Sequence, residues 1–213
     1  MVAAYAKIIP KEVLGIPRLG TIGVHPSLLP KYRGTTPIQS AILNGDKDTG
    51  TTLYLMDEKV DHGPVLAQRE LNYESPKQNK FATGQVGIMN YELLIQKLAD
   101  LSADLLVKTL PKFVTGEIKP QVQDETLATY TKKFASEDAF IKPEDLEAAQ
   151  TGNNPEIAAL IDRKIRALNP EPGTWTTKND KRIKLLRAET SNGILKIKEF
   201  QEEGQKPKLG SML

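Results

Sequence analysis

The sequence has 213 residues and contains no cysteine. That absence excludes a disulfide framework, thiol catalysis and thiolate metal sites, and it fits a cytoplasmic location. Histidine is almost as scarce, since His25 and His62 are the only two. Imidazole chemistry is therefore confined to a short stretch. A metal site would need carboxylates for its other ligands, and no carboxylate spacing supports one, so we expect no metal.

Long apolar runs are also absent, since none approaches the ~20 residues that a membrane span needs. The first residues have no basic region and no small-residue cleavage site, so we expect no signal peptide and no membrane partner. The net charge of +2 is too small to indicate nucleic acid by itself. An argument for nucleic acid must depend on where the basic residues cluster.

The first half of the chain alternates short apolar runs with helical patterns. A helix is expected to begin at Pro37, after a threonine cap, and to end near Gly45. A longer amphipathic helix is expected to begin at Tyr91 and to stop at Pro111. Strands mixed with helices in this way predict an α/β fold. The predicted strands are Val2–Pro10, Leu19–Val24, Thr51–Met56 and Val65–Leu71.

The composition changes after residue 115. Residues 116–133 are extended and rich in threonine, glutamine and lysine, which is typical of a linker. Beyond them, Pro143 and Pro155 each stand where a helix would begin, the second after Asn154 as cap. Strands are then predicted over Gly173–Thr177, Lys181–Ala188 and Gly193–Phe200, as in a small β-barrel-like module. Turns are predicted at Lys178–Asp180 and Ser191–Gly193. The predicted division is an α/β domain over 1–115, a linker over 116–133 and a β domain over 134–213.

His25 and Asp61 are the candidates for catalysis. His25 lies just beyond a predicted strand and before a proline, which points its ring toward a cleft. Asp61 lies on a later turn that could fold back and orient that ring. Such a pair fixes the tautomer and raises the basicity of the imidazole, as general acid–base chemistry requires. The residues alone leave open whether His25 is such a group or a satisfied strand-end histidine, and Asp61 alone is more often a turn former.

A dense series of motifs surrounds these two residues. It comprises HPSLLPKYRG at 25–34, Pro37-Ile38-Gln39, Asn44-Gly45-Asp46, Thr49-Gly50, Met56-Asp57 and Asp61-His62-Gly63. In this order and spacing, the series resembles the signature of folate-dependent formyltransferases. Two later runs, Ala128-Thr129-Tyr130 and Ile165-Arg166-Ala167-Leu168-Asn169-Pro170, resemble the second domain of the methionyl-tRNA formyltransferase family. The resemblance covers the chain from Val2 to about Lys208.

The resemblance implies a fold and a function. The fold would be a partial Rossmann-like formyltransferase domain followed by a small OB-like β-barrel. The function would be transfer of a formyl group from 10-formyltetrahydrofolate to the amino group of methionyl initiator tRNA. The catalytic histidine and aspartate of the family fall on His25 and Asp61, and its catalytic asparagine falls on Gly23. Ser27 would be a supporting hydrogen-bond donor.

The resemblance also implies two sets of binding residues. Folate is expected to lie against the opening strand and the loop before Asp61, at Tyr5, Ala6, Ile8, Ile9, Pro10, Met56, Asp57 and Val60. The tRNA backbone is expected to contact the basic residues Arg33, Lys132, Lys133, Arg166, Lys181 and Arg182. Without the resemblance, these basic residues would be interpreted as an ordinary solvated surface.

The sequence departs from the family pattern in several places. Gly23 lacks the amide that would hold the oxyanion of the reaction, and losing one such donor typically costs ~10²–10³ in rate. Ala6 stands where glycine is usual. The amino-terminal third of the family is expected to be missing, which would leave an apolar sheet edge open to self-association. The final barrel is expected to be open or reduced, because it has few strands.

Two other functions stay open. One is an impaired homologue that acts as a binding module, which Gly23 would favour. The other is a sugar-nucleotide formyltransferase, since those enzymes share the first domain.

Overall fold

The computed structural model describes residues 1–5, 7–73 and 89–210. The chain forms two compact units. The first comprises Met1–Ala41 and Asp46–Lys133, and the second comprises Ile42–Gly45 and Phe134–Leu213. Residues 116–133, predicted as a linker, are thus grouped with the first unit. Among the described residues, no helix is both long enough and apolar enough to cross a membrane.

A mixed four-stranded sheet organises the first unit. Its strands, in spatial order, are β1 (Val2–Ala3), β2 (Ile22–His25), β3 (Asp48–Leu55) and β4 (Val65–Asn72). The β1–β2 pair is parallel, and the β2–β3 and β3–β4 pairs are antiparallel. A short helix α1 (Lys11–Leu14) and a helix α2 (Pro37–Asn44) occupy the connections. The predicted α/β character of this region is confirmed.

The long helix α3 (Tyr91–Val114) covers this sheet. Its first turn is capped by the Asn90 side chain, which accepts a hydrogen bond from the Leu93 amide. An aliphatic cluster that includes Leu53, Leu66 and Leu105 is buried between helix and sheet. Burial of such side chains stabilises the fold by about 1.5–3 kcal/mol each.

Several predicted boundaries in the first unit are wrong, including those of β2 and β3 by up to three residues, and two of the errors have a clear physical cause. The opening strand spans only Val2–Ala3 rather than Val2–Pro10, because Ala4 has a φ of 51° and leaves the extended conformation. Helix α3 does not stop at Pro111 but continues to Val114. A proline so near the carboxyl end removes one amide hydrogen bond, and the Pro111 carbonyl still accepts from the amide of Thr115.

The second unit contains two helices followed by an antiparallel sheet. The elements are α4 (Pro143–Thr151), α5 (Pro155–Leu168), β5 (Trp175–Lys178), β6 (Lys181–Ser191), β7 (Ile194–Glu202) and β8 (Lys208–Leu209). The side chain of Asn154 caps α5 as predicted, by accepting from the Ile157 amide. Its buried core is aliphatic and includes Ile161, Leu185 and Ile197.

The terminal sheet has the strand order β5-β6-β7-β8. No pairing within the described residues joins β8 back to β5, so no closed barrel is detected. The hairpin turns lie where the sequence predicted them. Asn179 and Asp180 form one, and Asn192 and Gly193 form the other, all four with positive φ. Two consecutive positive φ angles are typical of the tight turns that match the twist of antiparallel strands.

Candidate active site

His25 is the last residue of β2 and lies almost entirely inside the protein, with 5% of its surface exposed. Its Nε2 atom lies 2.8 Å from the carbonyl oxygen of Tyr32. Its Nδ1 atom lies 3.5 Å from Oδ2 of Asp61. The imidazole is therefore placed between two oxygen acceptors.

The Tyr32 carbonyl reaches His25 because the chain after β2 folds back in a tight turn. The Ser27 hydroxyl donates to the Lys31 carbonyl at 2.6 Å, and Tyr32 has a φ of 62°. Ser27 was predicted as a supporting donor in the reaction. In the structure its hydroxyl stabilises this turn, so any part in the reaction stays a prediction.

Asp61 is fixed by donors on both carboxylate oxygens. The Gly34 amide donates to Oδ2 at 2.8 Å, and the Tyr54 hydroxyl donates to Oδ1 at 2.7 Å. The Asp61 backbone carbonyl accepts from Nε2 of Gln123 at 2.9 Å. Asp61 itself has a φ of 48°, a conformation that this network holds in place.

Burial and charge act in opposite directions on His25. Burial lowers the pKa of the imidazole, while the Asp61 carboxylate and the Tyr32 carbonyl favour the protonated form, and the net direction is downward. Burial also raises the pKa of Tyr54, as does the neighbouring Asp61 carboxylate. Tyr54 is therefore a neutral hydrogen-bond donor throughout the physiological range. The structure brings His25 and Asp61 together as the sequence predicted, in an environment suited to proton transfer.

The predicted folate residues lie on two segments. On the first, Tyr5 and Ile8 are largely exposed, Ile9 is half-buried and Pro10 is exposed, whereas Ala6 lies outside the described residues. On the second, Met56 and Asp57 are half-buried and Val60 is exposed. Asp57 organises its turn, since Oδ2 lies 2.5 Å from Nδ1 of His62.

An open groove of about 610 Å³ lies beside Asp61. It is lined by Arg33, Gly34, Thr35, Glu58, Lys59, Val60, Tyr130 and Thr131. Among these, Gly34 is the residue whose amide binds Asp61, and Val60 precedes Asp61 in the chain. The groove is therefore lined by a residue that bonds to Asp61 and by the residue that precedes it in the chain.

The structure does not support a tRNA contact for Arg33. Its side chain is fully buried, and the guanidinium donates to the side chains of Gln123, Glu125 and Tyr130. The backbone of Arg33 also exchanges hydrogen bonds of 2.8 Å with Thr129 and Thr131. Arg33 thus attaches residues 121–131 to the rest of the first unit and has no donor left for a phosphate.

The other predicted tRNA residues differ in exposure. In the first unit, Lys132 and Lys133 are exposed. In the second unit, Lys181 is exposed, Arg166 pairs with Asp162 at 2.8 Å, and Arg182 stacks 4.2 Å from the Trp175 ring. Their contact with tRNA stays a prediction.

Three residues of the site were missed in the sequence. Tyr54 and Gln123 contact Asp61 directly, and Tyr32 contacts His25 through its carbonyl. Gln123 lies in the segment predicted as a linker, and Tyr32 acts through its backbone, so neither carries a side-chain signal. Within the described residues, no group of three acidic or histidine side chains could hold a metal ion.

Comparison with known proteins places this geometry in a family context. The family model described as "Formyl transferase" matches residues 1–98, and "Formyl transferase, C-terminal domain" matches residues 156–194. Methionyl-tRNA formyltransferase of Roseiflexus sp. is 36% identical over 97% of this chain and 64% of its own length. The enzyme of the same name from Dictyoglomus turgidum is also 36% identical, over 97% of this chain and 67% of its own length.

Solved structures show the same fold. HypX from Aquifex aeolicus, in complex with tetrahydrofolic acid, has a TM-score of 0.69 and 19% identity, covering 96% of this chain and 36% of HypX. Methionyl-tRNA formyltransferase from Clostridium thermocellum has a TM-score of 0.59 and 22% identity, covering 98% and 75%. The chain spans between about half and two thirds of the length of curated relatives, with shares from 53% to 67%.

Proposed function

The chain belongs to the formyl transferase family, and from that premise we propose that it transfers a formyl group from 10-formyltetrahydrofolate to the amino group of methionyl initiator tRNA. The observation that carries the proposal is the buried His25–Asp61 pair at the edge of an open groove. The curated relatives bear the name of this activity.

The groove beside Asp61 suits a folate-sized molecule. Its volume of about 610 Å³ lies within the range of small-molecule sites. Val60 lines this groove and could pack against a planar ring, and Tyr5 and Ile8 are exposed apolar side chains on the other predicted folate segment. When bound, 10-formyltetrahydrofolate would supply the formyl carbon that the amine attacks.

His25 would move the proton that this exchange requires. The amine forms a bond to the formyl carbon, the bond from that carbon to the folate nitrogen breaks, and the proton lost by the amine passes to that nitrogen. In the resting site Nε2 carries the proton, because it donates to the Tyr32 carbonyl at 2.8 Å and a carbonyl oxygen only accepts. When the substrate replaces that carbonyl, the Asp61 carboxylate facing Nδ1 would favour a proton there, so that Nε2 would accept a proton and return it.

A formylation assay tests the proposal. The full chain is incubated with 10-formyltetrahydrofolate and labelled methionyl initiator tRNA, and formyl-methionine is measured after hydrolysis. Asp61→Asn keeps the shape of the carboxylate but removes its charge, so we expect a loss of about 10²–10⁴ in rate. Asp48→Asn, an exposed aspartate at the start of β3, is the matched control and should retain the wild-type rate.

The acceptor distinguishes the alternatives. Formylation of an amino-sugar nucleotide but not of tRNA would support a sugar-nucleotide formyltransferase instead. Folate binding by calorimetry with no product from either acceptor would support a binding module. A cytoplasmic location belongs to the same proposal, because initiator tRNA is used there. Self-association through the sheet edge at β1 stays a prediction that light scattering can test.

A further inference from the structure

Tyr54 lies directly opposite Gly23 in the antiparallel pairing of β3 with β2. Side chains opposite each other in such a pair share a face of the sheet. His25, two residues after Gly23, lies on that same face. The register therefore places a large aromatic ring beside a glycine and next to His25.

The ring of Tyr54 occupies the space that a side chain at Gly23 would need. A Cβ atom added to Gly23 would lie 2.5 Å from Cε1, 2.6 Å from Cζ and 2.9 Å from the hydroxyl oxygen of Tyr54. Gly23 is not among the glycines with positive φ. Glycine is therefore required here because a side chain would clash with Tyr54, and not because the backbone has a positive φ.

With its ring beside Gly23, Tyr54 has its hydroxyl within hydrogen-bond distance of Asp61. The hydroxyl donates to Oδ1 at 2.7 Å, and the Gly34 amide donates to Oδ2, the oxygen that faces His25. Tyr54 is 4% exposed, so little water competes for this bond. A register shift between Leu53 and Tyr54 in the pairing with β4 lies at the same point, and such irregularities redirect side chains.

We propose that Tyr54 is a positioning residue that holds the Asp61 carboxylate against His25, and that glycine at position 23 is required for it to do so. The effect on catalysis depends on the proposed formyl transfer, whereas the effect on Asp61 and His25 does not. Gly23 is then one half of a matched pair. Because Gly23 has no side chain, the Tyr54 ring can lie beside it, and the Tyr54 hydroxyl can donate to the Asp61 carboxylate.

Tyr54→Phe is the direct test, because it removes the hydroxyl and leaves the ring over Gly23. Removing a hydrogen bond to a charged group is expected to lower kcat by about 10- to 100-fold. KM should not change, because Tyr54 bonds to Asp61 and is not among the residues that line the groove. Without this donor the Asp61 carboxylate is held less firmly near His25, so it favours the protonated imidazole less and the pKa of His25 falls. The acid limb of the rate profile should therefore move to lower pH. Tyr73→Phe, which removes another buried tyrosine hydroxyl, is the matched control and should change none of these quantities.

The titration of His25 by NMR tests the same claim without any activity. The chain has only two histidines, so their ring signals can be assigned with His62→Asn. We expect the His25 titration midpoint to move downward in Tyr54→Phe, because Asp61 then supports the protonated imidazole less, and to stay unchanged in Tyr73→Phe. An unchanged midpoint in Tyr54→Phe would overturn the proposal, even if formyl transfer were established. A shifted midpoint in a protein with no transferase activity would uphold Tyr54 and reject the proposed function.

A second pair of variants tests the role of Gly23. Gly23→Ala should force the Tyr54 ring to move and lower Tm by about 3 to 10 °C. The same change in a Tyr54→Leu background should have little effect, because the ring is gone. Equal losses of Tm in both backgrounds would show that the two positions are not coupled, and would contradict the matched pair.

Discussion

The two units place their polar side chains in different ways. In the first unit, the side chains of His25, Arg33 and Gln123 are buried and are bonded to specific partners. In the second unit fewer of the described polar side chains are buried, namely Asp162, Thr174 and Thr176, and exposed lysines such as Lys181 lie at the surface. The difference indicates that the first unit contributes fixed geometry, whereas any contribution of the second unit to tRNA binding would come from surface charge.

The largest expected effect on stability concerns Arg33. Arg33→Met keeps much of the volume but leaves the buried Gln123 oxygen without its donor, so we expect a loss of about 2–4 kcal/mol in the free energy of unfolding. Arg182→Met in the second unit loses a stacking contact with Trp175 and should cost only about 0.5–1 kcal/mol. Urea unfolding of both variants measures these losses. Equal losses of free energy of unfolding would contradict the difference between the two units.

A smaller effect concerns pH. Burial lowers the pKa of His25 in the folded chain, so the unfolded chain binds more protons between that pKa and the ordinary value of about 6.5. Stability should therefore fall as the pH drops below about 6.5, by at most about 1.4 kcal/mol per pH unit. Urea unfolding at pH 7.5, 6.5 and 5.5 checks this.

Two variants test whether the pH dependence of stability comes from His25 in the first unit. His25→Asn should flatten the slope over this range, and His62→Asn should retain it. The second unit has no histidine. A slope that persists in His25→Asn would show that His25 is not its source.

The smallest effect concerns the surface lysines. If Lys133 and Lys181 contact phosphates, each alanine variant should weaken tRNA binding a few-fold and reduce the salt slope of log Kd by about 1. Lys119→Ala, at an exposed lysine outside the predicted set, is the control and should leave the slope unchanged. Filter binding over a range of salt concentrations measures these slopes. Unchanged slopes in both lysine variants would show that neither Lys133 nor Lys181 contacts a tRNA phosphate.

Local signals in the sequence were sufficient for much of the fold. The Asn154 cap and the turn at Asn192 and Gly193 were predicted because their cause lies within a few residues. The opening strand was overextended, because the change of direction at Ala4 leaves no mark in an apolar run. Whether the terminal sheet closes into a barrel depends on pairing between strands that are far apart in the sequence, which local patterns do not reveal.

The site was only partly predictable for the same reason. His25 and Asp61 were found because motifs mark them, and the structure brings them together. Tyr54 was missed because its role depends on the register that sets it opposite Gly23. Arg33 was misassigned because its partners Gln123 and Glu125 lie about ninety residues away, at separations of 90 and 92. A buried arginine with such distant partners cannot be distinguished from a surface charge by local pattern.

The central claim is that the buried histidine of the first unit carries the chemistry. The most direct test compares formylation of methionyl initiator tRNA by His25→Asn and by His62→Asn, each with its melting temperature. General acid–base catalysis predicts that His25→Asn loses about 10²–10⁴ in rate while remaining folded. His62→Asn, which removes the half-buried histidine one residue after Asp61, should retain far more activity, because His62 contacts Asp57 rather than His25. Equal rates in the two folded variants would contradict the account.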